Sequence, residues 1–275
     1  MNLRDKTVLL PGASRPIGRA IARKFAAAGA TLILPVFDWP ESIEEMHREF
    51  TELEFSFHVL PADLRHKNDV EAVARFTLQH RGKVDYLINN IERGGMPVVH
   101  GSYDLPHNEG QWEVEIDTTL KAKWLLFHHC RSLLENSHDG SVLNISSISG
   151  STGRSGPGAP FFNDGYSAAN RAVDSFTEQW ARELAPNMRV NGLVLGLIES
   201  RHGEQTRGWT ALTDQEKARI KDHILLGRTG KTEEVADMVF FLAVRATYMT
   251  GTIVKMDGGY TLGGYKVPAM PPGIL

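Results

Sequence analysis

Short apolar runs alternate with longer amphipathic stretches from one end of this chain to the other, and that alternation limits its fold more than any other feature. Residues 7–11 read as a strand, and residues 17–28 as a helix with Ile21, Ala22 and Phe25 on one face. Gly29 stops that helix, and a second strand follows over residues 30–34. The same rhythm predicts helices over 41–52, 67–80, 109–135, 164–184 and 233–243, and strands over 54–60, 84–89, 141–146, 189–194 and 252–256. Short apolar strands separated by helices belong in a parallel sheet covered on both faces. Right-handed crossovers then give a doubly wound α/β fold, whose ligands bind beyond the carboxyl ends of the strands. One domain is expected over residues 1–264, with a Pro-rich tail at 265–275. Two stretches break the rhythm: a loop at 150–165, rich in Gly, Ser and Pro around Phe161 and Phe162, and an insert at 200–226. Both follow strand ends, where a doubly wound sheet forms its pocket, so both are expected on the substrate side.

Charge and composition exclude several classes. Lys and Arg total 30 against 33 Asp and Glu, so a formal charge of −3 gives no long-range pull on nucleic acid or anionic lipid. No window holds 18 uncharged apolar residues, which argues against a membrane span. Residues 1–6 show no long apolar stretch and no small-residue cleavage site, so a cytoplasmic location is expected. The single cysteine, Cys130, lies in an apolar run and reads as a buried small hydrophobe.

After the first strand, Gly12 can make a tight turn and Gly18 lets the next helix lie close to the sheet. The amides around Ser14, Ile17 and Gly18 would then face a pyrophosphate at the positive end of the helix dipole. Pro16 suits a first helical turn but removes one of those amides. An acidic residue at the end of the second strand would bind a bare adenosine ribose, and Val36 stands there instead. Arg15, in the glycine turn, can grip a 2′-phosphate. NADP(H) is therefore the expected cofactor and NAD(H) the alternative, which Asp38 would favour if the strand ran further. Asp63 and Leu64, past the third strand, are expected beside the adenine, although Asp63 could instead cap the next helix.

Taken together these residues resemble the short-chain dehydrogenase/reductase family along nearly the whole chain, which implies a Rossmann fold. The family pattern Thr-Gly-x-x-x-Gly-x-Gly falls on Pro11, Gly12, Pro16 and Gly18, and Asn-Asn-Ala-Gly falls on Asn89, Asn90, Ile91 and Glu92. Asn144-Ile145-Ser146-Ser147 matches the strand that ends in the catalytic serine. Arg189-Val190-Asn191 leads to Gly196 and Ile198 beside the cofactor, and Asp257-Gly258-Gly259 closes the signature. The resemblance implies that Ser147 orients a substrate oxygen and Tyr166 passes its proton. It also implies a lysine that binds the nicotinamide ribose and lowers the tyrosine pKa, and an asparagine that holds a water for that lysine. These two positions hold Asn170 and Thr119. Both changes fall on one proton relay. Asn170 can still hydrogen-bond ribose hydroxyls, but without a cation nearby Tyr166 would titrate near its free value of about 10. Arg171 points about 100° away around the helix and is no simple substitute. Arg154, in the lengthened loop, is a candidate replacement cation.

Three functional readings follow. The first is an NADP(H)-dependent oxidoreductase that passes hydride between nicotinamide and a small carbonyl or alcohol. Reduction is favoured because it asks Tyr166 to act as an acid. The second is an inactive binding or scaffold subunit. The third is a dehydratase or isomerase using Tyr166 with Glu92 or His202. Phe161, Phe162 and Trp209 offer an apolar substrate surface, and Arg154, Arg201, His202 and Arg207 a meeting point for a carboxylate. The resemblance further implies a homotetramer or homodimer, paired through the helices at 109–135 and 164–184.

Overall fold

The structure is a computed structural model that describes residues 2–92, 106, 110–200, 203, 204 and 206–263, with Arg207 described by its backbone alone. Glu109, Arg201, His202 and the tail at 265–275 lie outside the described residues.

Seven strands form one sheet: β1 (Thr7–Leu9), β2 (Thr31–Val36), β3 (Phe57–Pro61), β4 (Tyr86–Asn89), β5 (Gly140–Ser147), β6 (Met188–Leu195) and β7 (Ile253–Met256). Their order is β3-β2-β1-β4-β5-β6-β7, and every pairing is parallel. The pleat sends alternate side chains to opposite faces. Val8, Leu32, Ile88 and Leu143 pack with α1 (Pro16–Ala27), α2 (Pro40–Glu52) and α10 (Thr232–Phe240). Leu9, Ile33, Leu87 and Val142 pack on the other face with α3 (Lys67–Arg81), α5 (Ala122–Glu135) and α7 (Asp164–Leu184). This is the expected doubly wound Rossmann fold. Strand order reverses between β1 and β4, which puts the ligand crevice at their carboxyl ends.

The predicted helix at 109–135 is interrupted. Helix α4 (Gln111–Ile116) passes through a π-helical turn at Asp117–Lys121 before α5 begins. The apolar residues on either side of the π-helical turn each keep helical spacing, so the sequence reads the two helices as one. The second strand runs to Val36, two residues beyond the expected end, and Asp38 and Trp39 then turn with φ of 59° and 62°.

Both irregular stretches carry structure of their own. The 150–165 loop begins in α6 (Ser149–Thr152) and holds a 3₁₀ turn at Ala159–Phe161. The insert contains α8 (Arg207–Thr210) and α9 (Asp214–His223), the latter closed by a capping box between Thr213 and Glu216. Phe161, Trp209, Ile220 and Tyr260 bring these pieces into a third apolar cluster. Phe161 and Trp209 are therefore core residues and not the substrate surface expected of them.

Among the described residues no helix is long and apolar enough to cross a membrane. Cys130 is buried, and burial pushes its thiol up to about 12.

Candidate active site

A cavity of about 450 Å³ opens across the carboxyl ends of the strands, within the range of cofactor sites. Gly12, Ser14, Arg15, Ile17 and Gly18 enter it from the turn between β1 and α1. Val36 enters from the end of β2, Asp63 and Leu64 from beyond β3, and Asn90 from beyond β4. Ser147 ends β5, Tyr166 stands in the first turns of α7, and Gly196 and Ile198 follow β6. The tertiary fold thus gathers these residues, spread over most of the chain, onto one wall.

The glycine turn fits a pyrophosphate. Gly12 has φ of +73°, and a Cβ there would meet Asn90 O at 2.4 Å, so only glycine suits both the turn and the contact. A Cβ on Gly18 would meet Gly12 O at 2.2 Å. Helix α1 has no side-chain cap at its N-terminus, which leaves the amides of Ile17 and Gly18 for an anion. The Arg15 guanidinium lies 4.4 Å from the centre of the Trp39 ring and donates to Ser42 Oγ at 3.2 Å. Asp38 also lines the cavity.

Asp63 accepts from Arg65 Nε at 2.8 Å and from Arg65 Nη2 at 2.6 Å. Burial opposes ionisation of Asp63, but these bonds outweigh it and hold the carboxyl below the usual range. The N-cap of α3 is His66, so Asp63 does not cap that helix.

At the other end of the cavity, Ser147 Oγ accepts from Ser149 N at 3.2 Å. Asn163 caps α7 by accepting from Tyr166 N at 2.7 Å, which fixes the start of the helix that carries the phenol. Phe162 lines the cavity, with its ring stacked 6.3 Å from that of Tyr166. The Tyr166 hydroxyl donates to Glu92 Oε1 at 2.9 Å.

Asn170 and Thr119 do not line this wall. Asn170 is buried and donates through Nδ2 to Tyr166 O at 3.0 Å, bracing its own helix. Asn170 Oδ1 and Thr119 Oγ1 are buried without a hydrogen-bond partner among the described residues. Arg154 is exposed and is not among the cavity residues, and Arg171 is exposed and paired with Asp174 at 3.4 Å.

One residue escaped the sequence reading. Lys123 on α5 is fully buried, and its ammonium donates to Thr119 O at 2.8 Å and to Ile91 O. Burial pulls its pKa down to about 8, and the nearby Glu92 carboxylate works in the opposite direction. Its signal was present: a lysine stands in the apolar stripe formed with Leu126, Cys130 and Leu134.

Residues 12–261 match the family model described as enoyl-(acyl carrier protein) reductase. The chain is 28% identical over 264 residues to 3-oxoacyl-[acyl-carrier-protein] reductase FabG of Thermotoga maritima, covering 95% of this chain and 100% of that protein. It is 26% identical over 279 residues to sorbitol-6-phosphate 2-dehydrogenase of Klebsiella pneumoniae, covering 96% and 98% of the two chains. A crystal structure of a short-chain dehydrogenase/reductase (glucose/ribitol dehydrogenase) from Brucella melitensis superposes with a TM-score of 0.78 at 26% identity. That match covers 94% of this chain and 99% of the other.

Proposed function

The chain belongs to the short-chain dehydrogenase/reductase superfamily, through the family that its residues 12–261 match, and from that premise we propose that it is an NADP(H)-dependent reductase of a small carbonyl compound. One observation carries the reading: the glycine cradle and the Ser147–Tyr166 pair share a single cavity. Gly12, Ile17 and Gly18 would hold the pyrophosphate, Arg15 a 2′-phosphate, and Asp63 and Leu64 the adenine. When bound, the nicotinamide supplies the hydride. Ser147 holds the substrate oxygen as charge develops on it, and Tyr166 delivers the proton. Phe162 shields the phenol and presents an apolar edge to the substrate.

A second reading has an observation in its favour. A phenol hydrogen-bonded to a carboxylate in an open cavity is also the equipment of an acid–base enzyme, a dehydratase or isomerase, that uses no net hydride. Fluorescence titration with NADPH and NADH, followed by a panel of carbonyl substrates, separates the readings. The reductase reading expects tighter binding of NADPH, turnover on the panel, and loss of turnover without loss of binding in Tyr166→Phe. Binding with no turnover would favour the acid–base enzyme, and no binding a scaffold role.

A further inference from the structure

Where the family motif has glycine this chain has Glu92, and its carboxylate lines the cavity beside the tyrosine. Glu92 Oε1 accepts the Tyr166 hydroxyl at 2.9 Å. A carboxylate only accepts, so the phenol's hydrogen is committed to Glu92 and its oxygen is left with lone pairs for a donor. Among the described residues Glu92 forms no ion pair, since the ammonium of Lys123 is bonded to the Thr119 and Ile91 carbonyls. Position 170 also lacks the cation that the family sets beside the tyrosine. The other charged residues described on the cavity wall, Arg15, Asp38, Asp63 and Arg65, follow β1, β2 and β3, where the proposed cofactor would lie. Phe162 and Leu197 pack with Tyr166 and give the reacting end an apolar lining. A negative charge in an apolar recess selects an organic cation over a neutral molecule of the same shape, because low polarity strengthens the pairing.

We infer that the preferred acceptor at this site is a protonated imine, with Glu92 as the residue that recognises its charge. The inference rests on the NADP(H)-dependent hydride transfer of the reductase reading and extends its acceptor from C=O to C=N. A neutral carbonyl must draw the phenol's proton away from Glu92, and it builds negative charge beside a carboxylate. A protonated imine does neither. Its N–H donates to the Tyr166 oxygen or to the free Glu92 oxygen, and its positive charge disappears in the reaction. The imine carbon gains a hydride and forms a new C–H bond as NADPH is oxidised to NADP+. The C=N π pair moves onto nitrogen, which keeps its proton, and the amine product is protonated from solvent. Tyr166 and Glu92 end as they began, and no proton is drawn from either. The changes at positions 92 and 170 then have one cause: an acceptor that arrives protonated needs a carboxylate and no lysine.

A matched pair of substrates tests this. Methylpyrroline and methylcyclopentanone share a ring and a methyl group, and only the first carries a charge when protonated. With NADPH, the wild type is expected to favour the imine by about 10-fold or more in kcat/KM. Glu92→Gln keeps the size of the side chain and removes its charge, and it should lower the imine-to-ketone ratio by about 10-fold or more, chiefly through KM. Calorimetry gives a reading that needs no turnover. In the presence of NADP+, methylpyrrolidinium should bind about 10-fold more tightly than methylcyclopentanol, and Glu92→Gln should abolish the difference. Reduction of the ketone but not the imine, or a ratio that Glu92→Gln leaves unmoved, would overturn the inference and leave the reductase reading in place. A wild type that binds NADPH and reduces neither compound would end the reductase reading and the imine reaction with it. Equal binding of the cation and the alcohol would remove Glu92 as a recognition residue in either case.

Discussion

Arg15 shows how a single side chain is prepared for a ligand before the ligand arrives. Its guanidinium is held against Trp39 and Ser42, so little rotamer freedom is left to lose when a phosphate binds. Arg15→Ala is expected to weaken NADPH binding by about 1.5–3 kcal/mol, roughly 10- to 150-fold, with NADH affinity little changed. Equal affinity of the wild type for both cofactors would count against the assignment and would point to Asp38 on the ribose. Asp85 makes the opposite use of charge. Its buried carboxylate accepts from Thr7 N at 2.8 Å and Ser137 Oγ at 2.9 Å, with Lys6 and Lys83 each at 3.1 Å. Burial opposes its ionisation, and these partners overcome the penalty and lower its pKa. The unfolded chain thus binds this proton at higher pH than the folded chain. The stability from Asp85 is complete above about pH 4 and is lost as pH falls through the lower folded value. Asp85→Asn should cost about 2–3 kcal/mol in denaturant melts at pH 7 and flatten the acid limb of the stability curve.

The elements around the site are tied more firmly than their composition implies. The Gly- and Pro-rich stretch at 150–165 lies under Tyr260, whose hydroxyl accepts from Gly158 N at 2.7 Å. A Cβ on Gly158 would come within 2.8 Å of that oxygen, so the glycine is needed for the close approach. Tyr260→Phe leaves the packing and removes the acceptor from a buried amide, at a cost of about 1–2 kcal/mol. Hydrogen exchange should then show the Gly158 amide losing protection while the sheet keeps its own. Uniform loss across the sheet would mean that Tyr260 supports the whole fold and not this loop. The π-helical turn at Asp117–Lys121 is the other element on which the site depends. It puts Thr118 on the cavity wall and the Thr119 carbonyl against the ammonium of Lys123, 2.8 Å away.

For the whole molecule we propose a homotetramer, or failing that a dimer, assembled through α4, α5 and α7. Trp124 on α5 is a large apolar side chain left 43% exposed, which fits a contact surface on that helix. Sedimentation at micromolar concentration should give four or two chains, and a monomer would refute the assembly. The sequence by itself determined the strand and helix order and hence the doubly wound sheet, because the alternation of apolar runs is a local property of the chain. It also marked Gly12, Gly18, Ser147 and Tyr166, since each stands at a motif-defined strand end or helix start. Only the tertiary structure decided which side chains face the cavity. Phe162 faces it while its neighbour Phe161 is core, and Asn170 and Thr119 stand behind the wall. Lys123 lies 32 residues from Ile91 and 43 from Tyr166 in the chain, and no local pattern joins them. Burial, the π-helical turn and the packing of three elements bring the ammonium to the Ile91 carbonyl, and contacts of that range exist only once the chain has folded.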